Sequence, residues 1–193
     1  MKKALSLISG KMINSTVTIY VMDGTYDESL NLVGLSGSGK LRILGYSLGR
    51  GSFKSCRIDN NMLRAIEIHN MDIGSGTMYV RENLCYINFY DINFSGTSIS
   101  MSTSSIMISD CSFSNVTKAI SAYPIGGAGG MGYDEVGKII LKDTNTFTNV
   151  STAVSVSGGC MLIQSTLPTL NGAKIVKSEG GMIINPNGTF SEI

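Results

Sequence analysis

Phe113-Ser-Asn-Val-Thr-Lys-Ala-Ile-Ser121 and Phe147-Thr-Asn-Val-Ser-Thr-Ala-Val-Ser155 are two copies of one pattern. Each follows an apolar pair split by a single residue and closed by an acid, Ile106-x-Ile108-x-Asp110 before the first and Ile139-x-Leu141-x-Asp143 before the second. Working outward, the same signature stands at Ile66-x-Ile68-x-Asn70 and Ile87-x-Phe89-x-Asp91, and more weakly at Met161-x-Ile163-x-Ser165 and Gly181-x-Ile183-x-Asn185. Three positions past the polar residue comes another apolar one, Ile73, Phe94 and Phe113, with Phe147 displaced by one. A period of about twenty residues, built from strand-like alternation with no helical periodicity, predicts a solenoid in which each repeat is one turn.

Alternation places Ile66 and Ile68 on one side of a strand, and stacking the next turn about 4.8 Å away sets Ile87 and Phe89 over them, so a continuous core grows along the axis. The fold class expected is all-β, a right-handed parallel β-helix. The column Asn70, Asp91, Asp110, Asp143, Ser165 and Asn185 reads as turn residues, since Asn and Asp tolerate left-handed backbone and bond their own main chain. Between the inward pairs lie Glu67, Asn88, Met107, Ile140, Leu162 and Met182, an outward column polar in its early members and apolar in its last four. Strands apolar on both faces are covered on both faces, which marks Met107, Ile140, Leu162 and Met182 as a candidate oligomer interface.

The chain has 193 residues, 42% of them hydrophobic, with 23 glycines and three prolines, which suits one elongated domain rich in turns. Its expected organisation is a cap over residues 1–13, rungs over 14–121, a Gly-rich surface insertion over 122–137 and further rungs over 138–193, the whole forming one module of a longer fibre. The opening Met1-Lys-Lys-Ala-Leu-Ser-Leu-Ile-Ser-Gly10 is read as a short capping helix and not as a signal peptide, because Lys11 ends the apolar stretch and no small-residue cleavage site follows. A net charge of +1 with no basic cluster argues against nucleic acid or an anionic membrane as partner, and no apolar run reaches the length of a membrane span. Cys56, Cys85, Cys111 and Cys160 show no metal-ligand spacing, and His69 is the single histidine, so no metal and no cofactor is expected. Reduced, core-lining cysteines suit assembly in a cytosol. Gly34-Leu-Ser-Gly-Ser-Gly-Lys40 imitates part of a phosphate-binding loop, yet Leu41 stands where a magnesium-holding hydroxyl belongs, and Leu41-Arg-Ile-Leu44 continues as strand.

Thr16-Val-Thr-Ile-Tyr-Val-Met-Asp-Gly-Thr-Tyr-Asp-Glu28, followed by an apolar strand, the turn at Gly34 to Gly39 and Leu41-Arg-Ile-Leu-Gly45, resembles the opening rungs of pectate-lyase-like β-helices from bacteriophage tail fibres, tailspikes and appendages. The resemblance implies a virion protein, assembled in the host cytoplasm, homotrimeric, and recognising bacterial surface polysaccharide. Some members of the family cleave that polysaccharide as lyases or glycoside hydrolases, and others are adhesive or purely structural stalks, so all three readings stay open.

Catalysis would require calcium held by clustered carboxylates beside a base, or two carboxylates at a set separation. The acids here are dispersed. Glu67 with Asp72 and Arg64 is the one grouping such chemistry could draw on, and a plain surface ion pair is the preferred reading of it. Asp110 to Asp143 spans 33 positions where neighbouring repeats span 19 to 22, and the excess falls in the insertion. Inserted loops of solenoids emerge at the surface and carry function, so Tyr123 and Tyr133 are candidates to stack on sugar rings and Asp134 and Glu135 to bond their hydroxyls, with a flexible glycine-rich excursion or a subunit contact as the alternative reading of the segment.

Overall fold

The structure, a computed structural model, describes residues 2–46, 50–124 and 137–191. The strands pair in parallel throughout and wind into a β-solenoid of about seven turns. A five-residue helix, Lys2–Ser6, stands at the N-terminus, and Leu5 with Ile8 just beyond it packs against the first turns of the core.

Each turn has three sides. The first side stacks eight strand segments, running from Val17–Val21 and Lys40–Gly45 to Met161–Gln164 and Met182–Ile184. Its inward columns are Leu41, Ile66, Ile87, Ile106, Ile139 and, beside it, Ile43, Ile68, Phe89, Ile108, Leu141, all essentially inaccessible to solvent. The second side is short and lined by Tyr26, Phe53, Ile73, Phe94, Phe113 and Phe147, one above another. Their rings lie nearly parallel where they are adjacent: Phe94 to Phe113 is 4.6 Å at 10°, and Phe113 to Phe147 is 5.1 Å at 8°. The third side closes the core with Leu32, Ile58, Val80, Met101, Ala122 and Val156 in register.

Left-handed backbone marks each corner. Asn70, Asp91, Asp110 and Asp143 turn the first corner with φ of 52–55°. Asn115, Asn149 and Asn171 hold the second, and Asn60, Glu82 and Thr103 the third. Asn and Asp tolerate this conformation at small cost, and at the first corner their repetition through Asn70, Asp91, Asp110 and Asp143 is the turn ladder expected from sequence. Ser165 and Asn185 do not share it. Asn185 instead opens a reversal that brings Phe190 antiparallel to Ile184, with the Asn185 amide donating to the Thr189 carbonyl at 2.9 Å.

The register of the later turns corrects the expected outward column. Leu162 pairs with Ile139 below and Ile183 above, and is fully buried, so it belongs to the core and not to an oligomer interface. Met161 and Ile163 face outward in its place. The run Met161-Leu162-Ile163 satisfies alternation in either register, and a one-residue slip exchanges the faces of a strand. The outward column therefore reads Arg42, Glu67, Asn88, Met107, Ile140, Ile163 and Ile184, with Met182 stacked on Met161 in the column beside it. Of the insertion's candidates, Tyr133, Asp134 and Glu135 lie outside the described residues.

Asparagine also works inside the molecule. Asn61 and Asn83 are buried where the third side turns into the first. The Asn83 side-chain oxygen accepts from the Asn61 backbone amide at 3.1 Å and from the Asn61 side-chain amide at 2.8 Å, while its own Nδ2 donates to the carbonyls of Ile58 and Arg81. The ladder continues upward to Ser104, whose Oγ accepts from the Asn83 backbone amide. These bonds satisfy backbone groups that the corner would otherwise strand away from water.

Candidate functional site

Side chains that alternate away from the core on the first side stand in two parallel columns, Lys40, Ala65, Tyr86, Ser105 and Arg42, Glu67, Asn88, Met107, Ile140. Between them lies a cleft of about 340 Å³. Its polar end is formed by Lys40, Arg64, Glu67, Tyr86 and Asn88, and its other end by Met107 and Ile140. Tyr86 is 66% exposed, a large aromatic surface left open on a strand held rigidly by its neighbours.

Glu67 anchors this end. It is only 6% exposed, and its carboxylate receives Lys40 Nζ at 2.8 Å and Arg42 Nε at 2.6 Å from the strand below. Burial by itself raises the Glu67 pKa, and the paired lysine and arginine outweigh it, leaving the carboxyl below its usual range. A group whose folded pKa is depressed stabilises the fold above its unfolded value and loses that contribution as pH falls through the folded one. Acid titration is thus expected to release Lys40 and Arg42 together, seen as a loss of stability on the acid side that Glu67→Gln removes. His69, with Nε2 4.0 Å from the same carboxylate, stacks on Tyr90 at 4.4 Å, outward on the strand as the alternation requires. Burial lowers the His69 pKa more than Glu67 raises it. Arg64 makes no ion pair among the described residues, so the polar end holds two cations, Lys40 and Arg64, against one carboxylate that Arg42 also neutralises from beside the cleft.

The structure brings together Glu67 and Arg64 and leaves Asp72 out. Asp72 lies around the first corner, where Arg50 Nε donates to it at 2.8 Å and Asn93 Nδ2 at 2.8 Å. Arg50 continues to the Asp91 carboxylate at 3.0 Å and to the Met71 carbonyl at 3.0 Å, so this cluster ties successive turns together. Tyr123 is on the third side with its hydroxyl 2.8 Å from Ser100 Oγ and within 3.4 Å of an Arg81 guanidinium nitrogen, and Arg81 in turn covers the Tyr79 ring at 4.2 Å. Its hydroxyl is thereby committed within the protein. Tyr86, Lys40 and Asn88 were not singled out from sequence. The signal was there, since all three fall at outward positions flanking Glu67 in the repeat.

Among the described residues no three His, Cys, Asp or Glu side chains converge as a metal site. The four cysteines are free and buried, and desolvation pushes the Cys85 thiol to about 11 and Cys111 to about 12, which leaves them protonated and unreactive at neutral pH. Lys40–Gly45 is strand, so the glycine-rich segment before it has no helix to place beneath a phosphate. No described helix is long and apolar enough to cross a membrane. No protein family, curated protein or solved structure matches the chain.

Proposed function

We propose that the protein is a glycan-recognition module of a bacteriophage tail fibre or appendage, and that the cleft at Tyr86 is where it engages host-surface polysaccharide. The observation that carries this reading is the open Tyr86 ring set between Arg64 and Asn88 on a rigid sheet. Aromatic rings with polar neighbours suit sugars, whose faces are apolar and whose edges bond. The resemblance of residues 16–45 to tailspike β-helices supports the setting. Glu67, kept ionised by two cations, is suited to orienting a ligand and poorly suited to donating a proton, which favours binding over glycoside hydrolysis. Tyr86→Ala is expected to weaken binding to a responsive bacterial polysaccharide about thirtyfold, the scale of an aromatic hot spot. A panel of capsular and cell-wall polysaccharides, scored for both binding and chain shortening, tests it. Absence of binding across the panel favours a structural stalk, and chain shortening favours a depolymerase.

The same reading includes self-association. The apolar stripe that begins in the cleft at Met107 and Ile140 continues beyond it as Ile163 and Ile184, one position per turn, and a second copy laid parallel against these last two presents the identical pair. Ile163 stands three turns beyond Tyr86, about 14 Å at β-sheet spacing, which keeps the cleft's polar end clear of a copy seated on the later turns. Light scattering is expected to give three times the chain mass, falling to a single chain in the Ile163→Lys, Ile184→Lys double variant. A wild-type monomer at micromolar concentration defeats the trimer.

A further inference from the structure

The cleft is asymmetric along the axis, and its asymmetry specifies a ligand. At the turn of Ala65 it offers Arg64, exposed and without an ionic partner among the described residues, with Lys40 beside it already joined to Glu67. One turn on it offers the exposed Tyr86 ring with the Asn88 amide on the same strand. At the next two turns it offers Ser105 with the apolar Met107, then Ile140. From Arg64 to Met107 is two turns, about 10 Å, which accommodates one pyranose with a substituent at either end.

We infer, resting on the glycan reading, that the recognised unit is an N-acetylated sugar bearing a negative charge. The ring lies against Tyr86. A carboxylate or phosphate on one end of the sugar meets Arg64, the cation in the cleft that no carboxylate of the described protein neutralises, and a guanidinium is matched to such anions in shape as well as charge. At the opposite end the acetyl methyl rests on Met107 and Ile140 while Asn88 and Ser105 bond the amide. Glu67 does not repel the anion, because Lys40 and Arg42 already offset its charge at 2.8 and 2.6 Å. A neutral sugar would leave Arg64 unanswered, and an acidic sugar without the acetyl would leave the apolar end wet.

Calorimetric titration of the intact chain with three probes tests this: N-acetylglucosaminuronic acid, whose C6 carboxylate and C2 acetamido group lie across the ring from each other, neutral N-acetylglucosamine, and glucuronic acid, which has the charge and no acetyl. N-Acetylglucosaminuronic acid is expected to bind about tenfold more tightly than N-acetylglucosamine through the charge-assisted contact, and about fourfold more tightly than glucuronic acid through the buried methyl. Its affinity alone of the two acetylated sugars falls with added salt. Arg64→Gln, a change at an exposed residue, is expected to bring the acid down to the affinity the same variant shows for the neutral sugar, with circular dichroism confirming the fold. Equal affinity for acid and neutral sugars, or an acid preference that survives Arg64→Gln, overturns this inference while sparing the glycan reading. No binding of these sugars or of any polysaccharide in the panel overturns both.

Discussion

Replacing Phe113 by alanine is expected to lower the unfolding free energy by about 3–5 kcal/mol, the largest effect of any single side chain in the core. The ring is fully buried between Phe94 and Phe147, nearly parallel to both, so truncation deletes two stacking contacts as well as the transfer of an aromatic side chain out of water. The void cannot close easily. Phe94, Phe113 and Phe147 are carried on strands whose separation is fixed by backbone hydrogen bonds from turn to turn, and the neighbouring rings cannot approach without breaking that register. Urea denaturation checks the value. Phe113→Leu, which fills most of the space, is expected to cost markedly less, and a loss for Phe113→Ala under about 1 kcal/mol would show that the site collapses and that the stack is not rigid.

Asn83→Ala is the second large effect, and it operates through hydrogen bonds and not volume. The substitution strands the Asn61 backbone amide and the Asn61 side-chain amide, which both donate to the Asn83 oxygen, and the carbonyls of Ile58 and Arg81, which both accept from its nitrogen. A buried polar group left without its partner costs about 1–3 kcal/mol. Some of these groups keep other bonds, as Asn61 Nδ2 does to the Leu32 carbonyl at 2.9 Å, so a total of about 3 kcal/mol is expected and not the full sum. The coupling separates this mechanism from a plain cavity. The Asn61→Ala, Asn83→Ala double variant is expected to cost less than its two parents added together, since the first change removes groups that the second would strand. Strict additivity in denaturation midpoints would mean that the ladder contributes no shared network.

The inward columns were legible because nothing but alternation and period is needed to find them. Ile66, Ile87, Ile106 and Ile139 are each followed two positions later by another apolar residue, and a polar residue between them fixes which side is out in the early turns. That marker fails at Met161-Leu162-Ile163, where three apolar residues in a row fit the core in two ways, and only the pairing of Leu162 with Ile139 and Ile183 decides. The turn ladder was equally legible at Asn70, Asp91, Asp110 and Asp143. Asn61 and Asn83 were not, because an asparagine that turns a corner and one that bonds buried backbone are the same residue type, and Asn60 and Asn61 do the two jobs side by side. Of the candidate site, Glu67 and Arg64 were picked out by charge. Asp72 was grouped with them by nearness in sequence, whereas the corner at Asn70 turns it onto another side of the solenoid. The outward position of Tyr86 beside Glu67 was readable from the repeat, but alternation does not distinguish a binding aromatic from any other outward residue.

The two sequence copies with which the chain is most easily read, Phe113 to Ser121 and Phe147 to Ser155, are also immediate neighbours in space, joined strand to strand with Phe113 paired to Phe147, Ile120 to Val154 and Ser121 to Ser155. A turn that bonds only to the turn before and the turn after presents the same surface above as below. Such a molecule is extensible: copying one turn in the gene lengthens the protein by about 4.8 Å and leaves every other contact as it was. Length then becomes a quantity that duplication can adjust without redesigning the fold, and a surface site such as the cleft at Tyr86 can be carried nearer to or farther from either end with its own residues untouched.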